Sequence, residues 1–369
     1  MLSVKLPRGR GELLLYGGAL MNLYLENGYA NIPEILKQPV SFSFCIGGRG
    51  TGKTYGALSF ALDMACKTGQ KFCLMRRTQS QLETIAKTET NPFKSIIRDR
   101  GYDWSCEPVT AGKSIFAYRK TTYEEGKAVY GEVLGYAIAL STVSNLRGFD
   151  MTDVSLLIYD EFIPERHERA LRGESDAFAN CYETINRNRE IQGQPALKVL
   201  CLANSNDFAS PLMIGLNLVG QIEKMINKGQ SVYINPQKSV GIYLLTDSPI
   251  SGQKALTSLY KLMQNTAFSD MAIGNAFDGS NDPDIVSVNL VEYKPLAAVG
   301  EVCIYKHKSE ESYYVSMHTS GTVKRYSGDS IDMKRFFDTH KSVILAVIYG
   351  DVLYESHFAK ALFIKYCNL

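Results

Sequence analysis

The hydrophobic positions near the start of the chain follow a strand, helix, strand order. The run VSFSFCI at residues 40–46 is rich in aromatic and β-branched residues and predicts a strand that stops at Gly47. Residues 53–67 repeat apolar side chains at helical spacing, and KFCLMR at residues 71–76 predicts the next strand. Two strands joined by a helix over about 30 residues form a βαβ unit, so we expect a parallel sheet here.

Three later runs are apolar on both faces and predict further strands of the same sheet. They are GYAIALS at residues 135–141, VSLLIY at 154–159 and LKVLCLA at 197–203. Strands of this kind are covered by helices on both sides, which is typical of a mainly parallel α/β sheet. Before them, residues 98–136 are interrupted by glycines and predict a helix end followed by a small hairpin.

The pattern changes near residue 236. Residues 236–283 are rich in Ser, Asn, Gly and Asp, contain one helical piece near residues 253–264, and predict a connecting segment. Four short runs then predict a meander of strands, at residues 286–293, 302–307, 313–318 and 322–326. Helices are predicted at residues 331–340 and 354–366, on either side of a strand at 343–349.

Length and composition agree with two globular domains. The chain has 369 residues, of which 45% are hydrophobic and 21% are charged, as in ordinary globular proteins. The predicted boundaries are a first α/β domain at residues 1–235, a linker at 236–283 and a smaller α/β module at 284–369.

The net charge and the spacing of the cysteines bear on nucleic-acid binding, zinc binding and the redox state of the thiols. The 40 Lys and Arg residues against 38 Asp and Glu give a formal net charge of +2, so binding of nucleic acid must rest on local patches. The eight cysteines occur singly, without a CxxC pair or zinc spacing, and are expected to be reduced thiols.

The N-terminal segment resembles an export signal only weakly. Positive charges precede leucines in MLSVKLPRGRGELLLYGGALM, but Glu12, the glycines and Asn22 interrupt the apolar stretch. No run approaches the length of about 18 apolar residues that a membrane span needs. We therefore expect a protein of the reducing cytoplasm.

The segment GGRGTGKT fits the phosphate-loop pattern GxxxxGK[ST] and lies between a predicted strand and a predicted helix. Its glycines allow backbone N–H groups to turn toward phosphate, and the helix N-terminus favours the negative charge. Lys53 is expected to reach the β- and γ-phosphates, and the Thr54 hydroxyl to bind Mg²⁺. The alternative is a glycine-rich turn with a solvated lysine. The residues expected to bind nucleotide are Gly47, Gly48, Arg49, Gly50, Thr51, Gly52, Lys53 and Thr54.

A pair of carboxylates follows the buried run VSLLIY. Asp160 ends this predicted strand and is expected to hold Mg²⁺, and Glu161 can orient and polarise a water for attack on the γ-phosphate. This pair predicts hydrolysis of ATP. The alternative is a pair of acidic residues that only marks the start of a helix.

Two further positions have both a functional and a structural interpretation. Asn204 follows the run LKVLCLA and could contact the γ-phosphate or its water, hold Glu161 away, or simply form a turn. Arg187 and Arg189 close a predicted helix, where arginine stabilises the C-terminus without any catalytic role. Alternatively, one of them is an arginine finger supplied to a neighbouring subunit.

Taken in order, GGRGTGKT, MRR at residues 75–77, IYDEFI, NRNRE at 186–190 and LAN at 202–204 resemble the genome-packaging (encapsidation) ATPases of small tailed phages. Those proteins are related to terminase large-subunit motors. The resemblance covers roughly residues 41–210, and the C-terminal module is similar only in size and general pattern. It implies a P-loop NTPase of the ASCE type, with a mainly parallel sheet, followed by a smaller RNase H-like α/β module.

The resemblance also implies a function and partners. It implies a homopentameric ring on the portal of an empty capsid, which uses ATP and Mg²⁺ to drive double-stranded DNA inward in the cytoplasm of the bacterial host. A packaging RNA is a further partner that the sequence leaves open. The rival interpretations are a helicase-type nucleic-acid ATPase and a scaffold protein that binds nucleotide as a structural clamp.

Site roles carried over by the resemblance fall on matching positions. Arg49 is similar to an arginine of the phosphate loop that alternates between nucleotide and protein partners. Arg187 is similar to the arginine finger, and Arg147 in SNLRGFD resembles a second basic residue presented across the subunit interface. Asn204 resembles the coupling position.

The remaining expectations concern DNA and the second module. Pore-facing basic residues should contact phosphate without reading bases, since every sequence must be packaged. The candidates are Arg166, Arg169, Lys120 and Lys127, each of which could equally be a solvated surface charge. A nuclease of the RNase H type needs several converging carboxylates. The predicted strands at residues 302–307 and 313–318 carry none, so we expect a docking module without cleavage activity.

Overall fold

The structure is a computed structural model of the whole chain. It describes residues 3–4, 13–16, 19–165, 168, 171, 173–205, 208–246, 248–264, 266, 283–319 and 323–367. The chain forms two compact units. The first combines Met1–Leu212 with Met225–Asp278, and the second combines Met213–Lys224 with Gly279–Leu369.

The first unit contains a large sheet and a small one. Its strands are β1 (Ser3–Val4), β2 (Leu13–Tyr16), β3 (Ala19–Asn22), β4 (Phe42–Gly47), β5 (Lys71–Arg76), β6 (Ser105–Gly112), β7 (Ile115–Glu124), β8 (Lys127–Ala139), β9 (Val154–Asp160), β10 (Lys198–Ala203), β11 (Val232–Asn235) and β12 (Val240–Leu245). Strands β1 to β3 form a separate antiparallel sheet. The helices are α1 (Ile32–Leu36), α2 (Lys53–Thr68), α3 (Gln79–Ile85), α4 (Phe93–Arg100) and α5 (Glu174–Asn186).

The chain passes between the units within two short helices. These are α6 (Pro211–Gly215) and α7 (Val219–Asn227). The last helices described in the first unit are α8 (Pro249–Ala255) and α9 (Ser258–Leu262).

The order of strands in the large sheet places the phosphate loop. Within the described residues the order is β11-β12-β4-β10-β9-β5-β8-β7-β6. The strands from β12 to β8 run parallel. On one edge β11 pairs antiparallel with β12, and on the other β7 pairs antiparallel with both β8 and β6. Strand β10 lies between β4, which precedes the phosphate loop, and β9, which ends in Asp160. This additional strand is the feature that the ASCE type predicts, so the predicted fold class is confirmed for this unit.

The parallel strands form because their sequences are apolar on both faces. Residues of β4, β5, β9 and β10 are almost continuously buried, as expected for a sheet covered by helices. Each of the eight cysteines is a free thiol, and Cys66 is the exposed member. Burial raises the pKa of Cys45 and Cys181 to about 12, so these thiols behave as apolar core residues.

The second unit is a smaller α/β module, as predicted. Its strands are β13 (Tyr293–Val299), β14 (Val302–His307), β15 (Tyr313–Ser316), β16 (Lys324–Tyr326) and β17 (Val352–Tyr354). Strands β13 to β15 form an antiparallel meander, with β16 parallel beside β13 and β17 parallel beside β15. The helices are α10 (Ser330–Thr339), α11 (Lys341–Tyr349) and α12 (His357–Cys367). Their apolar sides form one core with the sheet.

The structure corrects the prediction of a linker at residues 236–283. Strand β12 lies inside this range and pairs with β4 in the centre of the large sheet. Its sequence, VGIYLL, is fully buried. The polar residues around it concealed a core strand, because the turns on either side dominate the local composition.

Two predicted strands of the second unit are also wrong. Residues 343–349 form most of α11, because Val343 and Ala346 lie on one buried helical face and Gly350 caps the helix in a left-handed conformation. The run is rich in β-branched residues, and tertiary packing overrides that local preference. Of the strand predicted at residues 286–293, only the last residue belongs to a strand. The segment contains a 3-10 turn at Leu290–Glu292, and the strand begins at Tyr293.

Among the residues that the structure describes, no helix has the length and the apolar character needed to cross a membrane.

Gly135 in β8 provides a test of core packing in the first unit. A Cβ atom at this position would lie 2.5 Å from Cδ2 and Cε2 of the Phe72 ring. That ring is fully buried and packs against Phe93 and Tyr118. We expect Gly135→Ala to lower the free energy of unfolding by about 1–3 kcal/mol.

The measurement is urea unfolding followed by the fluorescence of Trp104, the single tryptophan of the chain, which lies in the first unit. The matched control is Gly252→Ala in α8, where an added Cβ meets nothing within 4 Å. It should be neutral or stabilising by up to about 1 kcal/mol. Equal midpoints for the two variants would contradict the packing described for β5 and β8.

Candidate active site

The phosphate loop has the backbone shape that its glycines predict. It connects the end of β4 at Gly47 to the start of α2 at Lys53, and Gly50 and Gly52 have φ values of +75° and +76°. At Gly52 there is also no room for a side chain, because a Cβ would lie 2.6 Å from Cδ1 of Tyr29. Both positions therefore require glycine.

Lys53 lies inside this loop. Its side chain is buried, and Nζ donates to the carbonyl oxygens of Gly47 at 2.9 Å and Gly48 at 2.8 Å and to Thr51 Oγ1 at 3.1 Å. Burial lowers the pKa of Lys53 from 10.5 to about 8, opposed by the Asp160 carboxylate. A buried ammonium beside a helix N-terminus attracts a polyanion strongly, since little competing solvent surrounds it.

Thr54 and Asp160 meet at the edge of the sheet. Thr54 Oγ1 donates to Asp160 Oδ1 at 3.0 Å, and Asp160 is only 2% exposed. A hydroxyl beside a carboxylate at a helix N-terminus is the type of oxygen donor set that Mg²⁺ prefers. The residues present therefore fit both a phosphate group and its magnesium ion, as the sequence predicts.

Glu161 follows directly in a strained backbone conformation. Its φ of +57° is uncommon for a residue with a side chain, and the extended conformation of β9 ends at the preceding residue. Arg76 Nη1 lies 2.6 Å from Glu161 Oε2, and Arg76 Nη2 lies 3.2 Å from Asp160 Oδ2. Partial desolvation raises the pKa of Glu161, whereas the Arg76 guanidinium opposes the rise. One arginine thus holds the carboxylate in place and limits the rise of its pKa.

Arg76 is a site residue that the sequence includes in the MRR motif without indicating its role. It ends β5, and the register of β5 with β9 places Met75 opposite Tyr159, so Arg76 comes beside Asp160. The sequence contains a signal for it, since a charged residue at the end of a buried strand is costly without a partner. The adjacency of the two strands, which supplies that partner, is a property of the sheet.

The next residue, Arg77, anchors a buried network. Its side chain is fully buried, and Nε and Nη2 donate to the two carboxylate oxygens of Glu174 at 3.2 and 3.3 Å. The Tyr159 hydroxyl donates to Glu174 Oε1 at 2.9 Å, and Arg77 Nη1 donates to Glu168 Oε2 at 3.1 Å. Because Glu174 begins α5, this network fixes the start of that helix next to the end of β9.

The other loop and sheet-edge candidates lie nearby. The Arg49 side chain forms an ion pair with Glu165, which follows the acidic pair. Asn204 is half-buried just after β10, at the same edge of the sheet. The group that holds Glu161 in this structure is Arg76, so the idea that Asn204 restrains it gains no geometric support.

The two arginines at the end of α5 have different environments. Arg189 is buried, and its Nη2 donates to the carbonyl of Thr152, which is a structural contact. Arg187 is exposed, and its guanidinium donates to the Phe149 carbonyl at 2.8 Å and to Asp150 Oδ1 at 3.3 Å. Arg147 is also exposed, two residues before Phe149. Arg187 and Arg147 therefore belong to one exposed surface region.

The candidate DNA contacts are only partly described. Arg166 and Arg169 lie outside the described residues. Lys120 places Nζ 5.2 Å from the centroid of the Trp104 ring, and exposed Lys127 opens β8 opposite Glu124. Both lysines lie on the β7–β8 hairpin, in the region where the sequence predicts a small hairpin.

Asp332, an acidic residue of the second unit, has local partners. Asp332 accepts hydrogen bonds from the backbone and the side chain of Ser327 and pairs with Arg335. In the part of the chain that the structure describes, no group of three or more His, Cys, Asp or Glu side chains is arranged to hold a metal ion. The lack of nuclease activity remains a prediction.

The phosphate loop after β4, the carboxylate at the end of β9, the strand between them and the adjoining glutamate define a P-loop ATPase of the ASCE class. The chain belongs to the podovirus DNA encapsidation protein (Gp16) family, whose sequence model matches residues 26–288. The resemblance noted from the sequence motifs is thereby confirmed.

Individual relatives agree with this assignment. The DNA packaging proteins of Bacillus phages PZA and phi29 are each 24% identical to this chain over 254 residues, which make up 69% of this chain and 67% of each relative. The solved structure of the Phi-28 gp11 DNA packaging motor is similar with a TM-score of 0.63 and 18% identity, over 93% of this chain and 99% of that one. The phi29 genome packaging motor assembly gives 0.61 and 18%, over 92% and 99%. These two structural similarities show the fold.

The pKa of Lys53 predicts a pH dependence of nucleotide binding. Below pH 8 the free lysine is charged and attracts phosphate, whereas above its pKa of about 8 binding requires uptake of a proton. We expect the affinity for ADP to fall as the pH rises above about 8, by up to about tenfold per pH unit.

Isothermal titration between about pH 7 and pH 9.5, in buffers of different ionisation enthalpy, would report both the affinity and the proton uptake. Lys53→Arg is the control, because a guanidinium stays charged throughout and should flatten the profile. A flat profile in the unmodified protein would contradict the described environment of Lys53.

Proposed function

We propose that the protein is the ATP-hydrolysing motor that translocates double-stranded viral DNA into a preformed capsid, acting as a homo-oligomeric ring. The observation that carries the proposal is the meeting of Thr54, Asp160 and Glu161 at one edge of the sheet in a chain of the encapsidation family. The described relatives are named as DNA packaging proteins and as packaging motors.

The nucleotide and its metal would be held by residues already described. The phosphate loop and Lys53 would bind the phosphates, and Thr54 with Asp160 would bind Mg²⁺. The bound ion would neutralise charge on the phosphoryl group being transferred. Glu161 is placed at the turn after β9, where its carboxylate can orient a water and accept its proton.

The position of Arg187 supports a role in a neighbouring subunit's site. Helix α5 begins at Glu174, beside the end of β9, and ends beside the residues that precede β9. Its 13 residues span about 20 Å. Arg187 therefore lies near the amino end of β9, whereas its own phosphate loop follows the carboxyl end of β4. A guanidinium there cannot reach its own nucleotide. We infer that Arg187, with Arg147 close by, completes the site of the adjacent copy as an arginine finger.

The partners follow from this arrangement and from the family. We propose a ring, expected to be a pentamer, that assembles in the host cytoplasm on the portal vertex of the procapsid. Double-stranded DNA would pass through the ring, and a packaging RNA is a further candidate partner. The second unit would serve as a docking module without nuclease activity. Lys120 and Lys127 are the described candidates for phosphate contacts with DNA, together with Arg166 and Arg169.

Coupling would use the residues that connect the site to its surroundings. Arg49 pairs with Glu165, four residues beyond Glu161, so a phosphate that attracts Arg49 would compete with this carboxylate. Asn204 is the second candidate, because β10 brings it to the same edge. Each nucleotide state would then favour one arrangement of the segment that follows β9.

A mixing experiment tests the ring and the shared site together. Arg187→Ala and Glu161→Gln are each expected to reduce ATP turnover on DNA-bound procapsids by about 10³-fold. An equimolar mixture should recover part of the activity, because an Arg187→Ala subunit keeps its own Glu161 and receives Arg187 from its neighbour. The measurement is phosphate release on purified procapsids with DNA.

The matched control mixes Glu161→Gln with Lys53→Ala. Both changes disable the same pocket and both keep the finger, so no recovery is expected. Near-normal turnover of Arg187→Ala, or no recovery in the first mixture, would exclude the finger role. Turnover that is independent of dilution, DNA and capsids would instead favour a helicase-type or scaffold function.

Arg76 should act as a positioning residue for Glu161. Removal of its charge in Arg76→Met is expected to raise the pKa of Glu161, so that more of the carboxyl is protonated at a given pH. The acid limb of the kcat profile should move to higher pH by about one unit.

The control for this variant is Arg98→Met, since the Arg98 side chain is 78% exposed and distant in sequence from the site. It should leave the profile in place. A uniform fall of kcat without displacement of the acid limb would assign Arg76 a structural role only.

A further inference from the structure

Carbonyl groups of the phosphate loop accept hydrogen bonds both from within the loop and from other parts of the chain. Gly48 accepts from Lys53, and the Thr51 carbonyl accepts from the Ala30 amide at 2.9 Å. The Arg49 carbonyl accepts from Lys254 Nζ. Buried backbone polar groups need partners, so these donors determine which way each peptide unit of the loop faces.

Lys254 reaches the loop from a part of the sequence that predicted only a linker. It lies in α8, and its Nζ is 3.2 Å from the position that a Cβ atom would take at Gly50. The same ammonium lies 4.9 Å from the centroid of the Tyr260 ring, which is buried in α9. Position 50 therefore requires glycine for a second reason besides its positive φ, because a side chain there would crowd this lysine.

The start of α8 is itself fixed to the loop's surroundings. Ser248 Oγ donates to the Gly28 carbonyl at 3.0 Å, and Pro249 opens the helix. A Cβ at Gly28 would come within 3.1 Å of the Ile250 amide nitrogen, so the two segments are in close contact. Lys254 thus acts from a fixed backbone, and its contact with Arg49 is not a chance encounter of a long surface side chain.

The peptide unit between Arg49 and Gly50 links this contact to nucleotide. In a trans peptide the C=O and the N–H point in opposite directions, so a carbonyl held toward Lys254 directs the Gly50 N–H to the other side of the loop. The ammonium that donates to the Arg49 carbonyl also polarises the amide, which makes the Gly50 N–H a stronger donor.

We propose that Lys254 is a positioning residue for nucleotide binding, which holds the Arg49 carbonyl so that the Gly50 N–H donates to a phosphate of a nucleoside di- or triphosphate. The inference rests on the proposed nucleotide site. Because the loop amides cradle the α- and β-phosphates, the effect falls on ADP and ATP alike. This separates Lys254 from a residue that senses only the γ-phosphate.

The test is the binding of fluorescent mant-ADP to the full chain and three variants. Lys254→Met has similar length but no donor and no charge, and we expect its Kd to rise about tenfold. Lys254→Arg keeps a charged donor and should lie within about threefold of the unmodified protein. Lys261→Met, on the exposed side of α9, is the matched control and should bind normally.

The melting temperature of each variant without nucleotide shows whether it is folded. If Lys254→Met does not fold, Lys254→Leu, which also lacks a donor and a charge, replaces it. The proposal is overturned if the donor-free variant binds within twofold of the unmodified protein, or if Lys254→Arg binds no better than Lys254→Met. If the unmodified protein itself binds no mant-ADP, the proposed function fails, which is a different result from failure of Lys254 alone.

Discussion

Four parallel strands, β4, β10, β9 and β5, end at the same edge of the first unit's sheet, and the site exists because their registers agree there. Leu202 of β10 lies opposite both Cys45 of β4 and Asp160 of β9, and Met75 of β5 lies opposite Tyr159. This alignment brings Thr54, Asp160 and Arg76 within hydrogen-bonding distance. A slip of one residue in any pair would turn the side chains to the other face and would separate Asp160 from Thr54 and Arg76.

The buried arginine at this edge of the sheet has partners of opposite charge. Arg77 is fully enclosed, yet it has the Glu174 carboxylate on one side and Glu168 on another. Removal of one partner from such a group leaves an uncompensated buried charge, which costs several kcal/mol, about 3–5. The same contacts bind the start of α5 to the end of β9. In the proposed ring, α5 would then connect one subunit's own carboxylates to the arginine that it offers its neighbour.

The phosphate loop depends on donors from distant parts of the chain. Ala30 precedes the sheet and Lys254 follows its last strand, yet both hold carbonyl groups of the loop. Lys53 holds two more from within. The glycines allow the loop to adopt backbone conformations with positive φ, and these donors hold the loop in one of them. A preorganised set of amides binds phosphate with less loss of entropy than a mobile loop would.

The sequence by itself determined the features that depend on a few neighbouring residues. The loop GGRGTGKT, the strands β4, β5, β9 and β10, and the acidic pair Asp160 and Glu161 were predictable, because glycine spacing and continuous apolar runs act over a few residues. The family resemblance followed from the order of the same motifs. What remained ambiguous was the choice between Arg187 and Arg189, since a helix end looks the same for an exposed and a buried arginine.

The tertiary structure decided everything that depends on which strands are neighbours. It assigned β12 to the sheet and residues 343–349 to a helix, because burial on one face outweighs local preference. It paired Arg76 with Glu161 and Lys254 with the phosphate loop, contacts between residues about 85 and 205 positions apart. No pattern within a single segment encodes such contacts, since each arises only when the sheet brings separate segments to a common edge.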